Sequence, residues 1–257
     1  MTTKPVLIEK KDQIATLVLN RPEVMNAMSK DMILNLYDAV IELAADEDIH
    51  VVVLKGAGDH FCSGADISLF SESIASQDWL VAMKGLGQIV KTLREMPQPV
   101  VTQLKGVAVG GGANLALTGD FVIAAENARF CEIFVNIGLI MDYGGTYLLP
   151  RLVGLAKARE LAMLGNEIDG KTAAAMGLVY KSVPEVDIET EVASLTTTLA
   201  QKSPFALRLI KEGLEKSLDM SLKETLDWEA AHQSIALQTP QHKEIVQFFL
   251  DSKKNKK

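Results

Sequence analysis

Cysteine and histidine are scarce in this chain, and their placement excludes several chemistries. Cys62 and Cys131 are the two cysteines and form no CxxC spacing. That argues against a disulfide scaffold or a thiolate metal site, and makes a reducing compartment the default. The four histidines, His50, His60, His232 and His242, never stand three or four residues apart, so no helical metal pair is implied. Also missing is an excess of positive charge: the net charge is −7, which argues against nucleic acid as a partner. The opening MTTKPVLIEKKDQ has no apolar segment of the signal-peptide kind, and no apolar run is long enough for a bilayer. The expected location is cytoplasmic, with neither membrane nor metal involved. Lysines cluster only in the terminal SKKNKK, which reads as a solvated tail or, alternatively, an anion contact through Lys253 or Lys254.

What is present is apolar material in quantity: 48% of 257 residues are hydrophobic, enough to bury a sizeable core. Its periodicity alternates along the chain. VLIEKKDQIATLVLN reads as two strands joined by a turn around Lys11, Asp12 and Gln13. Ser29 then caps a helix, and HVVVLKGAG, PVVTQL and FVIAAE read as buried strands. Trp79 to Leu93 reads as a helix that ends before Pro97 and Pro99. From about Asp187 the strand signals vanish and four helical segments follow, with Ser203–Pro204 and Ser221 as start signals. The fold class is α/β, with a core over 1–186 and a helical region over 187–257. Leu207, Ile210, Leu214 and Leu218 share one helical face, which must pack on the core or on another subunit.

Two glycine-bearing loops follow strands: FCSGADISLF, and VAVGGGANLAL, which leads into a helix. Neither is a phosphate loop, since no Gly-Lys-Ser/Thr or GxGxxG spacing is present. Each can aim a backbone N–H at one carbonyl oxygen, as enolate chemistry beside a thioester requires; the alternative for the second is a tight strand-to-helix junction. VNIGLIMDYGGTYLLP (135–150) places one acid, Asp142, in an apolar run. It reads as a turn residue capping the next helix, or as an acid held there for chemistry.

The chain resembles the crotonase, or enoyl-CoA hydratase/isomerase, superfamily through LNRPEVMNAM (19–28), HFCSGADI (60–67), VAVGGGANLAL (107–117), ARFCEIFVNIGLIMDYGGTYLLPRLVG (128–154) and AAAMGLVYKSV (173–183). The resemblance implies a spiral of ββα turns, and C-terminal helices that build trimers, often paired into hexamers. It implies an acyl-CoA thioester substrate and no separate cofactor. The N–H groups of Ala65 and Gly111 would form an oxyanion hole. Asn26 and Ala27 and the stretch after Gly64, chiefly Ala65, Asp66 and Ile67, would line the coenzyme A channel, and Ser63, Gly64, Gly110, Asn114 and Phe134 would also bind substrate. Phe249 and Lys253 fall where members meet a neighbour's adenine.

Hydratases of the family use two glutamates, whose places are taken here by Asn114 and Phe134. Losing such a pair costs conventional hydration about 10²–10⁴-fold per group. Asp142 stands two residues before GGT, where certain isomerases of the family carry a proton-moving aspartate. The expected reaction is therefore a double-bond shift in an enoyl-CoA, with Asp142 as sole acid/base and Phe134, Ile140 and Met141 excluding water. The alternatives are a hydratase, hydrolase or dehalogenase with other groups, or a silent acyl-CoA or RNA-binding relative. Asn114 would bind substrate, water or helix-start backbone. Glu132 reads as a surface ion pair or else a displaced catalytic group, and the cysteines as buried hydrophobes.

Overall fold

The computed structural model describes residues 4–70 and 76–254. Contacts divide the chain into two compact units, 1–200 and 201–257.

The first unit holds two sheets. β1 (Val6–Lys11) and β2 (Ile14–Leu19) form the expected antiparallel hairpin, with Asp12 at φ 53° in its turn. Asp is among the few non-glycine residues that enter that left-handed region readily. β3 (Val51–Gly56), β4 (Val100–Leu104), β6 (Phe121–Ala125) and β9 (Lys181–Val183) continue in parallel, in the order β1-β2-β3-β4-β6-β9. Every residue of β4 is buried, as a central parallel strand covered on both faces requires. The second sheet is β5 (Val107–Val109), β7 (Arg129–Cys131) and β8 (Glu167–Asp169).

Among the described residues, these strands are accompanied by the α-helices α1 (Lys30–Ala45), α2 (Ser76–Glu95), α3 (Gly111–Ala116), α4 (Gly145–Leu164), α5 (Gly170–Ala175) and α6 (Ile188–Ala200). The sequences β4-β5-α3 and β6-β7-α4 each put one strand in the large sheet, the next in the small sheet, and then a helix. These are the expected ββα turns. α3 packs against β5, and the candidate site described below lies at the starts of α3 and α4. α1 begins where Ser29 Oγ accepts the Met32 N–H at 3.2 Å, and it buries Met32, Leu36, Ala39, Val40 and Leu43. α6 packs against β3, β4 and β6, so the first helix after Asp187 belongs to this unit.

The second unit contains α7 (Pro204–Ser217), α8 (Leu222–Ala236) and α9 (Pro240–Lys254). Ser203 caps α7 ahead of Pro204, and Ser221 with Glu224 forms a capping box at α8. α7 meets α8 where Gly213 leaves room for the Trp228 ring. Within the single chain Ile210, Leu214 and Leu218 are each more than half exposed.

Candidate active site

The two glycine loops lie side by side. Cys62 N–H donates to Val107 O at 2.9 Å and Val109 N–H to Cys62 O at 3.1 Å, so the loop after β3 runs along β5. Met28 N–H donates to Gly64 O at 2.8 Å and Asp66 N–H to Met28 O at 3.1 Å. Among the described residues this leaves the Ala65 N–H, which lies between them, without an acceptor. Gly64 has φ 95°, and a Cβ there would lie 2.8 Å from Val109 O and 4.0 Å from Gly111 N. The Gly111 N–H, at the start of α3, likewise has no acceptor among the described residues. Gly112 sits so close to Cys62 that a Cβ would fall 2.5 Å from its carbonyl oxygen. The triple glycine is thus a tight junction that also brings two free N–H groups onto neighbouring loops.

Beside them is a buried cluster of polar side chains. Asn114, on the first turn of α3, is fully buried, and its Nδ2 donates to Glu132 Oε2 at 3.2 Å. Glu132, just after β7, is 1% exposed. Asp142 and Tyr143 precede Gly144 and α4, and Tyr143 holds φ 46°. Such a value is uncommon outside glycine and strained for a bulky residue. The Tyr143 ring fills the space that a Gly111 Cβ would need, and Gly145 abuts the Asn114 amide closely enough that a Cβ would overlap it. The starts of α3 and α4 therefore touch at this point. Asn114 Oδ1, Glu132 Oε1, Asp142 Oδ1 and the Tyr143 hydroxyl are all buried with no partner among the described residues.

Burial governs the acidities. It pushes the Glu132 carboxyl up to about 8; the nearby Asp142 charge adds to this and the Asn114 hydrogen bond opposes it. Burial likewise raises Asp142 to about 6 and moves the Tyr143 phenol well above its usual range. Near neutrality Asp142 is therefore mostly ionised while Glu132 keeps its proton. An unfolded glutamate releases its proton near 4.5, whereas this one holds it to about 8. Unfolding between those pH values releases a proton, so the contribution of the neutral acid is complete below 4.5 and declines up to about 8. Glu132→Gln no longer titrates. Its Tm should gain on that of the wild type as pH rises through this window, by ~4 °C or more in a thermal melt.

The chain matches the family described as enoyl-CoA hydratase/isomerase over residues 9–256. It belongs to that family. It is 34% identical to the 1,2-epoxyphenylacetyl-CoA isomerase of Escherichia coli K12, covering 95% of each chain. To the crotonyl-CoA hydratase of Syntrophomonas wolfei it is 32% identical, covering 99% of this chain and 98% of the other. The crystal structure of an enoyl-CoA hydratase from Bacillus anthracis superposes with a TM-score of 0.92 at 28% identity, covering 96% of each chain. The crotonase fold expected from the sequence is the one observed.

Within that family frame, several residues do something other than expected. Glu132 is no surface ion pair: it is buried, and Arg129 binds Glu167 at 2.7 Å instead. Asn114 does not satisfy helix-start backbone: its Nδ2 holds Glu132, and its Oδ1 has no partner among the described residues. The Asp142 side chain does not cap α4; its backbone carbonyl accepts the Gly145 N–H at 2.9 Å. Phe134 is buried as expected and Met141 half-buried, but Ile140 is 87% exposed and excludes no water in this chain. Asn26, at φ 56°, uses its amide inside the protein, accepting from Arg21 N–H at 2.8 Å and donating to Ala57 O at 3.0 Å and His60 O at 2.7 Å. It orders the loop and offers no side chain to a channel. Ala27 is also buried, and Gly64 and Gly110 are enclosed. Ser63 is half-buried, Ala65 is exposed, and Ile67 is 83% exposed. Phe249 and Lys253 lie on α9 in the second unit, and their side chains lie outside the described residues.

Asp66 pairs with Arg21 at 2.9 Å, and Arg21 also donates to Ala27 O. The pair ties the loop before α1 to the loop carrying Ala65. Hydrogen bonds from Ser68, then Arg21, hold the Asp66 carboxyl below its usual range. This stabilisation is present above the ordinary value of 3.8 and lost as pH falls through the depressed one. Asp66→Asn should cost ~1 kcal/mol at neutral pH and nothing at low pH, as read from paired urea melts.

Tyr143 is the site residue that the sequence reading did not select, and Glu132 was read there as a surface ion pair or else a displaced catalytic group. Glu132 did carry a signal: in RFCEIFVNI it is flanked by apolar residues, with Arg129 as the sole basic neighbour. Tyr143 had a weaker one, its place between an acid and two glycines.

Proposed function

We propose that the protein shifts a carbon–carbon double bond in an enoyl-CoA thioester. The observation that carries the reading is Asp142: a largely buried carboxyl raised to about 6, with its Oδ1 unpartnered among the described residues, in a family member whose two hydratase glutamate places hold Asn114 and Phe134. A base with that acidity is ionised near neutrality yet strong enough to take a proton from a carbon activated by a thioester. The N–H groups of Ala65 and Gly111, free on adjoining loops, suit the thioester oxygen as negative charge develops there.

In this mechanism Asp142 removes a proton from the α or γ carbon of the acyl chain. The electron pair delocalises into a dienolate, held at its oxygen by the two N–H groups. A proton is then returned two carbons away. Oxidation state is unchanged, and the thioester remains intact.

The test is spectroscopic. Incubation with 3-hexenoyl-CoA should generate the absorbance of the conjugated thioester, while 2-hexenoyl-CoA should keep it. Rapid loss from the 2-enoyl substrate would identify a hydratase and overturn the proposal. An acyl group trapped covalently on Asp142 would identify nucleophilic attack.

A further inference from the structure

We propose that Glu132, held by the amide of Asn114, is a second catalytic acid, delivering a proton to the dienolate at the carbon opposite the one from which Asp142 takes it. This rests on the isomerase reading and adds a separate residue to it.

Position supports the assignment first. Glu132 hangs from Asn114 on the helix whose first residue, Gly111, supplies a free N–H. Asp142 comes from the turn before α4, whose Gly145 presses on that same amide. Glu132 and the start of α4, three residues after Asp142, thus reach the same Asn114 amide, and the Asp142 charge acts on the Glu132 carboxyl.

Chemistry supports it next. A buried carboxylate with no cation is costly, and Arg129, the basic residue nearest in sequence, is bound to Glu167. Glu132 is therefore an uncharged acid with one O–H to give. Its Oε2 accepts from Asn114, which leaves Oε1 to carry the proton, and Oε1 has no partner among the described residues. A buried oxygen without a partner is uncommon and is one mark of a catalytic role. The opposed acidities of the two carboxyls, about 6 and about 8, suit a base and an acid working together.

The step balances. Asp142 carboxylate gains the substrate proton and becomes the acid. The Glu132 O–H transfers its proton to carbon, and Glu132 becomes the carboxylate. A proton then passes from Asp142 to Glu132, directly or through water, and restores both.

The test separates proton removal from proton delivery. Wild type and Glu132→Gln are incubated in D2O with 3-hexenoyl-CoA. Deuterium in the recovered starting thioester and formation of product are both followed at early times. In Glu132→Gln, Asp142 still removes and returns protons, so exchange should persist while product formation falls about 10²-fold. A parallel fall in both, or no fall in either, would overturn the proposal. The wild-type protein gives an independent reading that needs no substitution. Product formation should decline as pH rises through about 8 while exchange does not, and a common profile would count against Glu132. Should the wild type turn over no 3-enoyl-CoA at all, the isomerase reading itself has failed, and this is seen before any variant is made.

Discussion

Replacing Asp142 by Asn is expected to lower kcat for double-bond migration about 10³-fold, with little change in KM. Asn matches Asp in shape and cannot accept a proton from carbon, so the loss falls on the chemical step. Folding should survive. Burial already disfavours the ionised acid, whose acidity is displaced to about 6, so a neutral side chain there costs the fold nothing above that pH. Circular dichroism and a thermal melt at pH 7.5 check the fold, and single-turnover assays with 3-hexenoyl-CoA check the rate. A variant within fivefold of wild type would remove Asp142 from the mechanism.

Gly112→Ala should be nearly as damaging, by a different route. The added Cβ would lie 2.5 Å from Cys62 O and 2.8 Å from both Cys62 Cβ and Sγ. Cys62 is fully buried and its backbone is tied to β5, so it cannot yield. Helix α3 and the loop bearing Ala65 must separate instead, and with them the two free N–H groups. Overpacking of this kind costs about 1–3 kcal/mol of stability. Misplacing a site by about 1 Å can cost 10²-fold in rate. We expect a lower Tm and a kcat reduced about 10²-fold even where the variant is fully folded. An unchanged kcat would show that the spacing of these loops does not matter to the reaction.

Much of the fold was legible because its signals are local. The hairpin of β1 and β2 follows from apolar alternation around Lys11–Gln13, and the caps at Ser29, Ser203 and Ser221 occur where short hydroxyl side chains precede apolar periodicity. The three-residue strands β7 and β8 were not legible, since three residues are too few to show a period. The site divides in the same way. Asp142, Ala65 and Gly111 could be selected from motifs. The burial of Glu132 depends on Asn114, eighteen positions earlier, and no sequence window joins them. The inward-turned amide of Asn26 also depends on acceptors at Ala57 and His60, more than thirty residues away. Ile140 misled for the converse reason, because an apolar run shows which residues avoid water and not what covers them.

Ile140 has a bearing on how any rate profile must be measured. Asp142 is itself only half-buried, and Ile140, two positions earlier, stands 87% open, so this stretch of the turn is wet in the free protein. An acyl chain settling against it would strip its water and make ionisation of Asp142 harder still. The ascending limb of kcat, which reports the occupied enzyme, should then sit at higher pH than the limb of kcat/KM, which reports the empty one.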